Sequence, residues 1–586
     1  MLRERAQLPE SPIPGGFLDE IGTLTEAILR LGREHPGYPC LIFYDHTGRE
    51  EILTLGNLLA RATAIQAAVE DRGLEPGDPA VLILPTGAEL VAAYFGVLLA
   101  GGIPALASTP TQRAAEPAAY RRLIGGLLAS GPARIAYCDE PTAAILSAGS
   151  SVLPSGGTLL RPSDVALVSG SAAVRAPVLP SPEQVATIQF SSGSTGAPKG
   201  IRLSHRAMLN NIRAVRDGLA ITARDVSVNW IPLYHDMGLI DAFLLPLLCG
   251  CPTVLIPTTD FVREPRLWLE ALHRYRGTIS WAPNFAYALC VQRIRDDQIV
   301  GFDLSRWRIA INAAEPVLAH TVDAFTRRFG AHGFRPAAMT PAWGLAENVT
   351  IATAHPPARA PRVETIDRAT LAAESFARPT DGTGLESVAI GRFLPRCAIE
   401  IRGGDRRLGD RVVGEVWLRS DSLFEGYHRD PELTARVLVD GWLNTGDRGY
   451  LSDGDLFFVA RGKDLIVIAG EKYVPHDIET AINQVRGVRE GCVVAFGVLD
   501  PERGTEGVAA IVETQLAARA GQVGPEAADD LEALARAIRS QVTRTTGLAL
   551  RHLKLVPPGG IQKTTSGKLA RGATRDRYVA ELVAPA

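Results

Sequence analysis

From residue 17 onward the apolar positions of this chain repeat with two alternating periods. Leu24 to Arg33 and Leu58 to Asp71 carry apolar residues at helical spacing, whereas Leu41 to Tyr44 and Ala80 to Leu84 are short continuous apolar runs. Gly77-Asp78-Pro79 marks the turn before the second of these runs. Two longer apolar stretches reach the lower limit of a membrane span, but each is interrupted. Leu90 to Ala107 is broken at Gly101-Gly102-Ile103-Pro104 into a helix, about Glu89 to Leu99, and a short strand. Leu239 to Pro257 contains Asp241, Pro246 and Pro252, again helix then strand. Both read as buried βα units. After Gln189 the rhythm resumes, with strands expected at Ile279 onward, Ile309 to Asn312 and Met339 to Trp343. Alternation of this kind predicts an α/β fold of doubly wound, mostly parallel sheets covered by helices.

Elsewhere the pattern weakens. Residues 111 to 183 are rich in Ala, Pro, Ser and Gly, and only a strand at Ala133 to Cys138 and a linker at Pro177 to Pro182 can be placed. A polar insertion occupies about 351–390, clearest from Val363 to Gly391. Ile390 to Leu418 then alternates in short strands with turns at Gly403-Gly404 and Gly409-Asp410, which predicts a small antiparallel barrel or sheet. Leu465 to Ile468, Asp477 to Val485 and Cys492 to Val498 resume an α+β pattern. A chain of 586 residues exceeds one compact core. The expected division is a large domain, 1–461, and a small one, 462–586, with the boundary near Arg461 to Lys463.

Composition excludes more than it proposes. Hydrophobic content of 46%, charged content of 21% and a net charge of −3 describe an ordinary globular protein, with nothing to suggest nucleic-acid binding. The seven cysteines form no C-x-x-C pair, which argues for reduced, cytoplasmic thiols and against zinc. Met1 to Glu10 has no apolar core, so no signal peptide is expected. Only six of the 61 basic residues are lysine: Lys199, Lys463, Lys472, Lys554, Lys563 and Lys568. Lysines retained in an arginine-rich chain point to places that need a compact, flexible ammonium. Lys199 and Lys568 both sit in loops rich in Gly, Ser and Thr, which makes them candidates for phosphate chemistry.

The densest such loop is Gln189-Phe-Ser-Ser-Gly-Ser-Thr-Gly-Ala-Pro-Lys-Gly200, read as lying between a strand and a helix capped by Ser204. Its glycines admit close approach of an anion, and its hydroxyls and N–H groups donate to phosphate oxygens. That setting favours a polyphosphate cradle over a flexible Gly/Ser loop. The Walker A spacing is absent, and Ser192 stands where a nucleophile elbow needs glycine. Further along, Trp230 to Gly238 is a strand end opening a helix, with His235 either a ligand-facing gate or a capping residue. Trp281 and Phe285 either line a pocket or belong to the core. Ala313-Ala314-Glu315 and Gly344-Leu345-Ala346-Glu347 follow two more strand ends, the arrangement in which an open α/β sheet builds a ligand crevice. Asp421-Ser422-Leu423 matches a phosphopantetheine attachment signal but lies among strands, so no carrier domain is expected within the chain.

With this cradle, Glu347, Asp447, Arg461 and Lys568 in order, the sequence resembles the adenylate-forming superfamily of acyl ligases and luciferases from about residue 20 to 578. Tyr234-His-Asp-Met-Gly-Leu239, Pro283-Asn-Phe-Ala-Tyr287, Asn312-Ala-Ala-Glu-Pro316 and the insertion after Glu347 resemble its fatty acyl-AMP ligase branch. The resemblance implies ATP-dependent activation of a carboxylic acid to an acyl-adenylate with release of pyrophosphate. Transfer to a separate acyl carrier protein, rather than to free coenzyme A, is implied next. It places Ser191, Ser192, Gly193, Ser194, Thr195, Gly196 and Lys199 on the phosphates, and Glu347 with Thr195 on Mg²⁺. Ala313, Ala314, Glu315, Trp343, Gly344, Leu345, Asp447 and Arg461 complete the ATP site, Trp343 stacking on adenine and Asp447 holding the ribose. Lys568 and His235 join Glu347 as catalytic residues. Trp230, Met237, Gly238, Trp281, Asn284 and Phe285 line the acyl pocket, and Lys463 marks the hinge. Gly462 before that lysine is expected to loosen the hinge, and Trp281 to narrow the acyl tunnel toward a short, medium or unusual acyl group.

Overall fold

The computed structural model describes residues 5–110, 117–130, 133–148, 152–153, 157–168, 175–191, 199–500, 505–520, 525–564 and 567–583. Its centre is a nine-stranded sheet. Six of those strands run parallel side by side: Met339–Gly344, Ile309–Asn312, Ile279–Ala282, Ser227–Asn229, Thr253–Leu255 and Pro39–Tyr44. Antiparallel strands close both edges, Glu50–Thr54 at one and Ile351–Ala354 followed by Arg392–Phe393 at the other. Both faces of the parallel strands are buried, which explains their unbroken apolar runs. A second, four-stranded parallel sheet contains Pro79–Ile83 and Ile103–Leu106. Ala88–Leu99 is a twelve-residue helix, buried almost throughout. Among the described residues no helix is long and apolar enough to cross a membrane.

Four sequence expectations change. The Gln189–Gly200 loop joins two strands, not a strand and a helix. Val185–Ser191 pairs antiparallel with Lys199–Ser204, and Gly426–Tyr427 adds a third strand. Ile201 and Leu203 are buried while Arg202 between them is exposed, an alternation too short to register as a strand beside the helix that follows. That helix, His205–Leu219, does begin at Ser204, whose hydroxyl accepts the Ala207 N–H. The Ala-rich region holds helices Pro117–Ser130 and Glu140–Ser147 and a strand Thr158–Leu160, which composition concealed. The polar insertion is ordered, with strands Val363–Ile366 and Leu385–Val388 paired around a helix Arg368–Glu374. Finally, the helix that opens after His235 is a π-helix, Met237–Leu244, continued by Leu245–Leu248.

The antiparallel region contains Cys397–Gly403, Gly414–Ser420, Trp442–Ser452 and Asp455–Arg461 in a six-stranded sheet. Ser422 is buried here, out of reach of a modifying enzyme. Beyond Arg461 lies a separate apolar cluster that includes Ile466, Ile478, Val493, Val508 and Ile538. The insertion reaches this C-terminal part through Arg368, which donates two hydrogen bonds to the Asp477 carboxylate at 2.7 and 2.8 Å.

Candidate active site

The parallel strands bring their carboxyl ends together, and the candidate residues emerge from those ends. His235 follows the strand Ser227–Asn229, and Phe285 follows Ile279–Ala282. Glu315 follows Ile309–Asn312, and Glu347 follows Met339–Gly344. Into this group reaches Lys568, 333 residues beyond His235, with Nζ 2.9 Å from the His235 Nε2. Gly567 beside it faces Phe285, since a Cβ there would lie 3.4 Å from that ring. Burial pushes the Lys568 ammonium below its ordinary value, opposed by the negative charges of Asp236 and Glu315. Burial also raises Glu315, against the Phe285 N–H that its carboxylate accepts and against Lys568.

The tautomer of His235 follows from its neighbours. Nδ1 lies 2.6 Å from the Asp236 carboxylate, which also accepts the Met237 N–H at 2.7 Å. Burial works to raise Asp236, but His235 and Lys568 outweigh it and hold the carboxyl below its usual value, so it stays an acceptor. Nδ1 therefore carries the hydrogen, and Nε2 offers its lone pair to Lys568. His235 thus stands both at the start of the π-helix, its Nδ1 also 3.3 Å from the Met237 N, and against Lys568, with Asp236 fixing it in place.

Asp447 and Arg461 are cross-strand partners on Trp442–Ser452 and Asp455–Arg461. The Trp343 indole N–H donates to Asp447 Oδ2 at 2.9 Å, and Arg461 Nε lies 3.4 Å from Oδ1. Oδ1 is buried and accepts no hydrogen bond among the described residues. Burial raises this carboxyl, with Arg461 and Trp343 pulling the other way. A buried acceptor beside a guanidinium suits a ligand hydroxyl, so the residues fit a ribose. Trp343 itself is nearly buried in an apolar cluster, and its edge engages Asp447. Gly344 is required by space, because a Cβ would come within 2.2 Å of the Thr350 carbonyl oxygen. Ala314 takes a left-handed backbone at φ 70°, a strained turn at a strand end.

Glu347 is half-buried, and its Oε1 accepts the Tyr427 hydroxyl at 2.7 Å. Lys199 lies over the ring of that tyrosine, 5.2 Å from its centroid. Tyr427 thus links the end of the Gly/Ser loop to Glu347, although nothing in its short sequence context marked it. Ser192, Gly193, Ser194, Thr195 and Gly196 lie outside the described residues, and Ser191 ends the strand before them. The described residues hold no cluster of three or more metal-ligating side chains. A single carboxylate such as Glu347 fits Mg²⁺ only where phosphate oxygens supply other ligands, as such ions commonly bind.

The acyl-pocket candidates divide. Met237 and Trp281 are buried on the apolar cluster that includes the π-helix, and Trp230 stacks on Phe261 at 3.7 Å on the other side of the sheet. Trp230 also meets Phe285 edge to face, with centroids 6.0 Å apart. Gly238 has no room for a side chain, since a Cβ would approach the Pro232 carbonyl oxygen to 2.1 Å. Asn284 is buried, and its polar atoms meet Asn312, Leu318 and Thr321, so it also braces two strand–helix junctions. Lys463 is exposed in the short helix Gly462–Asp464, and a Cβ on Gly462 would sit at an ordinary 3.5 Å from the Gly446 carbonyl oxygen. Space therefore does not demand glycine there.

A crevice of strand ends thus gathers a buried carboxylate, Asp447, a half-buried one, Glu347, and a lysine delivered from the C-terminal part, Lys568. The sequence profile of the AMP-binding enzyme family matches residues 30–428, and the chain belongs to that family. Similar proteins include the long-chain-fatty-acid–AMP ligase FadD26 of Mycobacterium marinum, 33% identical over 91% of this chain and 92% of that one. A 4-hydroxyphenylalkanoate adenylyltransferase of the same organism is 32% identical over 95% of this chain and 91% of its own length. Among solved structures, one from a study of fatty acyl-adenylate ligases of E. coli and L. pneumophila superposes with a TM-score of 0.87 at 29% identity. It covers 98% of this chain and 100% of that one.

Proposed function

We propose that this protein is an acyl-AMP ligase that activates a carboxylic acid with ATP and passes the acyl group to the phosphopantetheine thiol of a separate acyl carrier protein. The observation that carries the reading is the placement of Lys568 against His235 at the carboxyl ends of the parallel strands, between Glu315 and Asp236. A carboxylate oxygen attacks the α-phosphorus of ATP, the bond from that phosphorus to the bridging oxygen breaks, and pyrophosphate leaves with the electron pair. Both partners are anionic, so the protein's contribution is charge neutralisation and alignment. Lys568 supplies a cation with three donors where the acid's oxygens meet the α-phosphate. Asp447 and Arg461 would fix the ribose, and Glu347, steadied by Tyr427, would hold Mg²⁺, whose contribution would be to neutralise phosphate charge. The names of the fatty-acid and hydroxyphenylalkanoate relatives support an acid with an extended apolar part. The Arg368–Asp477 pair supports the carrier protein as acceptor: it ties the insertion to the C-terminal part, and in the acyl-AMP ligases that the chain resembles such an insertion restrains that part and disfavours coenzyme A.

The test is pyrophosphate release across a panel of carboxylic acids, followed by offering carrier protein and coenzyme A as alternative acceptors. Acid-dependent release and a carrier-bound acyl group are expected. Lys568→Ala is expected to cut release by about 100-fold or more. Undiminished release in that variant overturns the role of Lys568, and thioester formation with coenzyme A in preference to carrier protein overturns the acceptor.

A further inference from the structure

A buried donor or acceptor without a partner is unfavourable, and two lie on the strand and the π-helix that border this site. Trp281 is completely buried on the strand Ile279–Ala282, and its indole N–H finds no partner among the described residues. Asp241 is completely buried in the π-helix Met237–Leu244, and its Oδ2 likewise finds none. These two elements pack together. Asn229 joins them, its Oδ1 accepting the Trp281 backbone N–H at 2.9 Å and its amide reaching the Ala242 carbonyl at 3.5 Å. The Trp281 side chain enters the same apolar cluster as Met237, Leu239 and Ile240. The π-helix begins two residues after His235, and Phe285 follows the strand closely. The seam between strand and π-helix thus leads away from the end at which Lys568 meets His235.

The count of hydrogens fixes the state of Asp241. Asn211 donates both amide hydrogens to the carbonyls of Asn348 and Ile351, at 3.0 and 3.2 Å. Its Oδ1 therefore accepts the Thr350 hydroxyl hydrogen at 2.6 Å. Thr350 has no second hydrogen, so its 3.1 Å contact with Asp241 Oδ1 needs one from Asp241. The carboxyl is neutral, and Oδ2 is its carbonyl oxygen, purely an acceptor. Burial and the nearby charge of Asp236 act in the same direction, raising this carboxyl well above its usual value.

Trp281 thus offers a donor and Asp241 an acceptor on facing elements, in a region whose indole already takes up room that an alkyl chain needs. A hydroxyl accepts from the one and donates to the other, and a methylene does neither. Within the adenylation reading, on which this rests, we infer that the acid activated is a hydroxylated one whose hydroxyl pairs with the Trp281 indole N–H and the Asp241 carboxyl. Sites built around such pairs reject the analogue lacking the hydroxyl far more strongly than apolar pockets reject a missing methylene.

The experiment measures kcat/KM for pyrophosphate release with octanoate and its 2-hydroxy, 3-hydroxy and ω-hydroxy derivatives, and with the matching set from butyrate. At least one hydroxy acid is expected to exceed its parent by roughly tenfold or more. Trp281→Phe, and separately Asp241→Leu, are expected to bring that ratio close to one. Unsubstituted acids used as well as every hydroxy counterpart by the wild-type protein overturn the inference and leave adenylation standing. So does a ratio unchanged in both variants. If no acid releases pyrophosphate, the adenylation reading fails and takes this inference with it.

Discussion

Replacing Asp241 with asparagine tests the assigned hydrogen positions through stability, independently of catalysis. A carboxyl that stays neutral in the folded state holds a proton that the unfolded chain releases above about pH 4. The folded state then binds more protons, so this group's contribution to stability falls as pH rises, by about 1.4 kcal/mol per unit. Each pH unit above about 4 over which the folded carboxyl stays neutral therefore removes about 1.4 kcal/mol from the wild type. The asparagine of the variant donates to Thr350 from its amide and carries no such pH-dependent loss, but its second amide hydrogen is left buried, an offset of about 1 kcal/mol at every pH. Asp241→Asn is therefore expected to be about 1 kcal/mol less stable than the wild type near pH 4 and to gain on it steadily as pH rises. With an unfolding entropy of about 1.2 kcal/mol/K for a chain of this length, each such unit is roughly 1 °C in Tm. Paired thermal melts between pH 5 and 7.5 measure it. The slope is diagnostic: a difference between variant and wild type that does not grow with pH means that Asp241 is ionised and the assignment fails. Asp236 is the charged group that most directly acts on Asp241, and Thr350 and Asn211 face it from the packed elements.

Three further outcomes follow from other contacts. Asp236→Asn frees His235 to take the opposite tautomer and lose its acceptor toward Lys568, so kcat for pyrophosphate release is expected to fall about 100-fold, a loss that the same substitution at the exposed Asp381 does not produce. Tyr427→Phe removes the hydroxyl from the Glu347 carboxylate and is expected to raise the Mg²⁺ concentration needed for half-maximal activity by about tenfold, read from a magnesium titration. Arg368→Ala cuts both hydrogen bonds to Asp477 and is expected to increase acyl-coenzyme A formed relative to acyl-carrier protein, with an unchanged product ratio ruling out this pair as a restraint.

Much of the fold that surrounds the candidate site was legible in the chain. Six parallel strands with both faces buried read as continuous apolar runs, because nothing along them needs to meet water. The residues after those strands carry the polar chemistry for the complementary reason: a strand end is where backbone and side chain are released to a crevice. The short Lys199–Ser204 strand escaped notice because a strand of six residues, followed directly by a capped helix, shows too few alternations to stand apart from it. The helices of the Ala-rich region escaped for a related reason, since alanine and glycine leave little amphipathic contrast.

Sequence by itself determined which chemical groups are available, and in what order: the hydroxyl-rich loop, Glu347, Asp447, Arg461 and Lys568. Pairing among them belongs to the tertiary structure alone. No local rule places Lys568 on His235 across 333 residues, the Trp343 indole on Asp447, or the Tyr427 hydroxyl on Glu347. Nor does sequence state that Asp241 is neutral. That follows from counting hydrogens among Asn211, Thr350 and Asp241, three residues brought together only when helix, loop and π-helix pack.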